Sequence, residues 1–286
     1  MSIGDGISKR GKVIAICNQK GGTGKTTSAI NIASYAALGG KKTLLIDIDP
    51  QANATSGLGI DKATVEKSIY NAILGDVALK ELILDTKIVG LSLVPANADL
   101  SGCEVELVGM MSREYCLKKA LQPVKEEFEI IFIDCPPSLG LSTINALCAA
   151  DTVCIPVQCE YYALEGLGQL INTISLVREN LNPELNIEGV ILTMADFRTN
   201  LTREVIAETR AHFASAQPKV RVYNTIIPRN IRLSEAPGFG KPIALYDKDS
   251  LGAKKYFELS QEMLGLTSEQ VNSEDTVVQN TEGEGS

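Results

Sequence analysis

The sequence predicts an α/β protein built on a doubly wound, mostly parallel sheet flanked by helices on both faces. Three observations carry that prediction. Short apolar, β-branched runs recur along the chain, segments of helical spacing about ten to twenty residues long separate most of them, and a glycine-rich loop, KGGTGKTT, stands where the first run gives way to the first helix. In such a sheet, ligand chemistry gathers at the carboxyl ends of the strands.

Residues 12–17, KVIAIC, form an apolar run of the kind buried in a parallel sheet. Residues 26–40 follow with Ala29, Ile32, Ala33 and Ala36 on one helical face and Gly39-Gly40 as a stop. The loop between them is therefore a strand-to-helix turn. Gly21, Gly22, Thr23 and Gly24 let backbone N–H groups converge on an anion, and the helix N-terminus adds its dipole. Lys25 supplies a point charge, and Thr26, followed by Thr27, offers a hydroxyl to Mg²⁺. This is a phosphate-binding loop with one departure. The common spacing places a glycine five residues before Gly24; this chain has Gln19 there, and a second lysine, Lys20, follows it.

Further along, TLLID, LSLVPA, EIIFID, TVCIPV, IEGVILTM and VYNTII read as strands, and residues 112–128, 163–181 and 203–214 as helices. Asp134 closes EIIFID, the position where an aspartate of a phosphate-loop fold holds Mg²⁺, usually through water. Asp47 and Asp49 close TLLIDID, and a side-chain period of two puts both on one side with Ile48 opposite. Asp47 suits a supporting role, and Asp49 is a further candidate to stand near the metal.

At 286 residues and 44% apolar content the chain can bury one sizeable core, so we expect a single domain over residues 1–266, with 1–11 flexible. No long apolar span or basic-then-apolar leader occurs, so the expectation is a soluble, intracellular protein with no membrane contact. Seven cysteines, without C-x-x-C spacing, read as reduced and buried, and the one histidine, His212, as structural or solvated. The net charge is −8, but the last twenty residues hold five acids and no bases and read as an acidic disordered tail, residues 267–286. Between Arg198 and Arg232, seven bases stand against Glu204 and Glu208, a local +5 that permits a basic face on an acidic protein.

KGGTGKTT resembles the deviant phosphate loop of the ParA/MinD class of ATPases, a SIMIBI-type P-loop fold. LLIDIDPQANATSGLG, IIFIDCPPSLG, PVQCEYYALEGL and IIPRNIRLSEAPGFGKPI are similar to its ParA/Soj partition branch, over roughly residues 12–264. The resemblance implies a Mg²⁺-dependent ATPase that forms a homodimer in its ATP state. In that dimer Lys20 would reach the partner's nucleotide while Lys25 serves its own. It assigns Asp49 to the attacking water, and places Met194 and the Pro228-Arg229-Asn230 turn around the adenine. It implies non-specific binding of double-stranded DNA through Arg198 and Arg232, a ParB-type centromere-binding partner that stimulates hydrolysis, and a cytoplasmic, nucleoid-associated place of action. Alternatives within the wider class are a MinD-like regulator or a relative positioning a protein cargo, and a metal-cluster carrier, for which Cys103 and Cys135 would be the cysteines at hand.

Overall fold

The computed structural model describes residues 11–160, 167–215 and 220–271. Seven strands make one sheet: β1 (Lys12–Ile16), β2 (Thr43–Asp47), β3 (Leu84–Asp85), β4 (Leu91–Val94), β5 (Ile130–Asp134), β6 (Thr152–Gln158) and β7 (Asn186–Thr193). They lie in the order β3-β4-β2-β5-β1-β6-β7. All pairings are parallel except that of β3, which runs antiparallel on the outer edge of β4. The central strands are apolar on both faces because both faces are covered. Val13, Ala15, Leu44, Ile46, Ile131 and Ile133 enter one core, while Ile14, Ile16, Leu45 and Phe132 enter the other.

Twelve helices are described: α1 (Lys25–Leu38), α2 (Asn53–Gly57), α3 (Ile69–Leu74), α4 (Cys103–Leu107), α5 (Cys116–Leu121), α6 (Leu141–Ala149), α7 (Leu167–Asn180), α8 (Asn200–Ser215), α9 (Ile231–Glu235), α10 (Ile243–Tyr246), α11 (Leu251–Leu264) and α12 (Ser268–Val271). Helices α3 to α8 line the first core and α1, α10 and α11 the second. The expected face of α1, Ala29, Ile32, Ala33 and Ala36, is fully buried. Its polar residues are absorbed too: Ser28 Oγ lies 3.1 Å from Tyr256 Oη, and Tyr35 donates to the Ala253 carbonyl at 3.0 Å. That makes α1 a buried helix pinned to α11.

The structure corrects several expectations. VYNTII is not a strand. It runs beside β7 through two isolated parallel bridges, Val190 to Val222 and Ala195 to Pro228. Between them the backbone N–H groups of Asn224 and Thr225 donate to the Glu262 carboxylate at 2.8 and 2.9 Å instead of to a neighbouring strand. A side chain on α11 thus replaces the middle of a ladder. Residues 112–128 are not one helix: Ser112 sits at φ 54, α5 spans only Cys116–Leu121, and Pro123, which lacks an N–H, follows it. Of 163–181, Leu167–Asn180 is α7 and residues 163–166 lie outside the described residues. The expected tail begins with the turn of α12, and Val271 packs against the second core; residues 272–286, like 1–10, lie outside the described residues. All seven cysteines are buried free thiols, and His212 lies on α8 with its ring edge-on to Phe213.

The Glu262 carboxylate also accepts from Asn224 Nδ2 at 3.1 Å and Arg221 Nη2 at 3.2 Å, and its side chain is 15% exposed. Burial pushes its carboxyl up, but the Asn224 and Thr225 amides and Arg221 outweigh burial and hold it below the usual glutamate value. We predict that Glu262→Ala lowers stability by about 2 kcal/mol, the scale of hydrogen bonds to a charged group. For a chain of this size that is a drop in melting temperature of roughly 4–8 °C. The depressed carboxyl stabilises the fold above its unfolded-state value and loses that contribution as pH falls through the carboxylate range. The gap between wild type and variant should therefore narrow in acid, and scanning calorimetry at neutral and acid pH checks both statements.

Candidate active site

The glycine-rich loop leaves the end of β1 and is tied down on both sides. Asn18 Nδ2 donates to the Pro156 carbonyl at 2.7 Å, Asn18 Oδ1 accepts from the Lys20 amide at 3.0 Å, and Thr193 Oγ1 donates to the Thr23 carbonyl at 2.9 Å. Gly22 and Gly24 have φ of 75 and 83°, the left-handed region where any side chain is strained. Gly24 caps α1 without a side-chain acceptor, so the first N–H groups of this 14-residue helix are open to an external anion. Lys25 is 7% exposed, and its Nζ donates to the Lys20 carbonyl at 3.1 Å. Burial pulls its amine down, against the opposing pull of Asp134 and, more weakly, Cys135, Cys17 and Asp49. Lys20 is different. It stands at the rim with its side chain 37% exposed and its Nζ 3.9 Å from Glu160 Oε2.

Strand register sets the carboxylates. Asp134 is the partner of Ile16 on one side and of Asp47 on the other. Its side chain is fully buried, and neither carboxylate oxygen has a hydrogen-bond partner. Burial, then the neighbouring Asp47, raises its carboxyl well above the ordinary range, with Thr26 and Lys25 opposing. An orphaned buried carboxylate beside a hydroxyl is the donor set a hard cation requires. Asp134 and Thr26 therefore fit Mg²⁺. Asp47 is already engaged: its Oδ2 accepts from the Thr55 amide and hydroxyl, both at 2.8 Å, and its Oδ1 from the Asp49 amide at 3.1 Å. Burial lifts it to about 6, and these bonds oppose the rise. Its task is to anchor the start of α2. Asp49 lies past the end of β2, 6% exposed, with Oδ1 accepting from the Gln51 amide at 2.9 Å, while Ile48 fills the opposite core. Its charge acts on both Lys25 and Asp134.

A cleft of about 450 Å³ opens beside the loop, and Gly24, Thr27, Thr193, Met194, Pro228 and Asn230 are among the residues that line it. The bridge between Ala195 and Pro228 brings the Pro228-Arg229-Asn230 turn to the end of β7, and Met194 projects from a backbone at φ 53. Asn230 is also the cap of α9, accepting from the Arg232 amide at 3.0 Å. The two ends proposed for one nucleotide thus meet in one depression. Asn18 and Thr193 escaped the sequence reading. Asn18 follows the apolar run directly and Thr193 precedes Met194, but only tertiary contact reveals their work on the loop.

Arg198 and Arg232 are both exposed, but neither is bare. Arg198 forks onto Asp196 at 2.8 and 2.6 Å and holds that carboxyl at about 2, through its side-chain and backbone hydrogen bonds. Arg232 pairs with Glu235 at 2.9 Å and Asp247 at 3.3 Å. Arg221 pairs with Glu262 and Arg229 with Glu160. The local excess of +5 is a property of the sequence interval, and the fold brings in acids from outside it.

The chain matches the family model described as AAA domain over residues 11–187. It is 56% identical over 253 residues to the sporulation initiation inhibitor protein Soj of Bacillus subtilis, covering 88% of this chain and 98% of that one. To the chromosome partitioning protein ParA of Myxococcus xanthus it is 53% identical over 254 residues, covering 89% and 88%. Among solved structures, the cobyrinic acid a,c-diamide synthase of Mycobacterium smegmatis with bound ADP and magnesium superposes with a TM-score of 0.76 at 36% identity, covering 88% of this chain and 93% of that one. Similarity of this degree along nearly the whole described chain, on a seven-stranded, mostly parallel scaffold with a phosphate loop at its carboxyl edge, leads to one assignment: the chain belongs to the ParA/Soj family of P-loop ATPases, which hydrolyse ATP with Mg²⁺.

Proposed function

We propose that this ATPase is a partition switch for a chromosome or plasmid: ATP drives homodimerisation, the dimer binds double-stranded DNA without sequence preference, and a ParB-type partner stimulates hydrolysis and release. The observation that carries this reading is the division between the two lysines of one loop. Lys25 is buried against its own loop, which suits a lysine that serves its own nucleotide, while Lys20 stands at the rim, which suits one that serves a second copy of the chain. Residues 1–266 act as one ATPase unit in this scheme.

In this scheme each side chain has a part. Loop amides and the N-terminus of α1 bind the phosphates, Lys25 draws charge toward them, and Met194, Pro228 and Asn230 wall the base. Bound at Asp134 and Thr26, Mg²⁺ would neutralise charge on the phosphate oxygens. Asp49 orients or deprotonates the attacking water. Lys20 from the partner supplies the further positive charge that phosphoryl transfer needs, so hydrolysis waits for the dimer. On the outer face, Arg198 and Arg232 exchange carboxylates for DNA phosphates. Exposed ion pairs are weak and salt-screened, so the exchange is easy. A metal-cluster carrier is disfavoured because Cys103 and Cys135 are both fully buried in the core.

Three outcomes test the scheme. Lys25→Ala abolishes ATP binding, whereas Lys20→Ala binds ATP but neither dimerises nor hydrolyses it; nucleotide titration with light scattering separates the two, and normal dimerisation by Lys20→Ala would refute the division. Asp49→Ala binds ATP, dimerises and stays on DNA with little turnover, as phosphate release and DNA retention assays would show; loss of ATP binding would make Asp49 structural. Held in ATP by Asp49→Ala, the Arg198→Ala/Arg232→Ala protein keeps its dimer but loses most DNA affinity. Four phosphate contacts per dimer correspond to a slope of roughly 3 to 4 in log affinity against log salt. Binding isotherms at several salt concentrations should show that slope flattened, and an unchanged slope would move the DNA face elsewhere.

A further inference from the structure

Glu160 stands between the phosphate loop and the turn that lines the cleft. Its Oε1 accepts from Gln158 Nε2 at 2.7 Å and from Arg229 Nη2 at 3.2 Å, and its Oε2 lies 3.9 Å from Lys20 Nζ. Gln158 closes β6 and reaches Met194 Sδ at 3.4 Å, and the Cys159 amide donates to the Thr193 carbonyl at 2.9 Å, so the carboxylate is held by the end of the sheet. One side chain thus holds a cation from the phosphate loop and a cation from the turn that lines the cleft.

We propose that Glu160 is a positioning residue that holds Lys20 on its own protomer until a second nucleotide-bound copy offers phosphate oxygens, and so sets how readily the ATP state dimerises. The inference rests on the reading of Lys20 as the residue that crosses to the partner. A lysine ammonium drawn toward a carboxylate on its own subunit has to leave it before it can serve another. At 3.9 Å, with side chains 37% and 44% exposed, the pair is weak and breakable. A nucleotide's phosphates carry several charges, and a closing interface excludes water around them, so they outcompete Glu160 once the partner docks. Glu160 is therefore a restraint that delays release, with Arg229 keeping the carboxylate in place. Each dimer releases two lysines, so the restraint enters the dimerisation constant twice: a two- to fourfold effect per lysine, the range of exposed pairs, becomes about four- to sixteenfold for the dimer.

The test compares Glu160→Gln and Glu160→Ala with the parent chain, all in the Asp49→Ala background at saturating ATP, where differences in nucleotide affinity drop out. Light scattering against protein concentration should show the dimer forming at about four- to sixteenfold lower concentration in both variants. In the nucleotide-free protein, acylation of the Lys20 amine, followed by peptide mass spectrometry, should be severalfold faster in both variants while Lys62 is unaffected. Salt should speed the same labelling in the unmutated chain, which keeps the idea testable if a variant folds poorly. Unchanged or weaker dimerisation in folded variants, or a Lys20 labelling rate indifferent to Glu160 and to salt, would overturn the restraint. Lys20→Ala run alongside separates the two levels: if it dimerises normally, the crossing role of Lys20 falls; if it fails to dimerise while the Glu160 variants match the parent, only the restraint falls.

Discussion

The register that sets Ile16, Asp134 and Asp47 side by side is the constraint on which the site depends. Parallel pairing of β1, β5 and β2 ends three strands at one edge and aims two carboxylates toward the buried helix α1. Asp47 is compensated by Thr55 and by the chain that follows it. Asp134 is not, and a buried carboxylate without donors is costly unless it is protonated or meets a cation. Lys25 is the nearby charge that opposes this cost, and its own burial is tolerated for the same reason. The loop and the strand ends are therefore one electrostatic unit.

Around that unit the fold supplies rigidity in graded amounts. The loop before α1 is clamped to β6 and β7 through Asn18 and Thr193, and the helix is locked to α11 through Ser28 and Tyr35. The cleft wall is looser in construction: the segment behind it makes only bridges to β7 and leans on Glu262 for its remaining amides. The loop is thus a fixed cradle, while the turn at the cleft wall hangs on two bridges and the Glu262 carboxylate.

What the sequence revealed was local. A strand-to-helix loop with G-K-T-T, an aspartate closing an apolar run and a period of two through TLLIDID need only neighbouring residues, and Ile48 does lie opposite the two aspartates. What stayed hidden was long-range. VYNTII has the composition of a strand, but its two middle amides, those of Asn224 and Thr225, are taken by a glutamate 37 residues beyond Thr225. Asp47 holds the Asp49 amide, but its bonds to Thr55 at the start of α2 do not show in the strand pattern. The basic interval has its counter-charges Asp196, Glu235 and Asp247 outside its own span. Residues 112–128 have helical spacing, broken by Pro123 and by the left-handed Ser112. In each case tertiary pairing or a backbone break overrode local preference.

The central claim is that one loop serves two nucleotides, with buried Lys25 facing its own and Lys20 at the rim facing another. A crystal structure of the Asp49→Ala chain grown with Mg²⁺ and ATP tests it most directly. The account predicts a two-fold dimer in which each Lys20 Nζ has left Glu160 and contacts the phosphates held by the partner, while each Lys25 contacts its own. A dimer in which Lys20 touches only the nucleotide of its own protomer would contradict it.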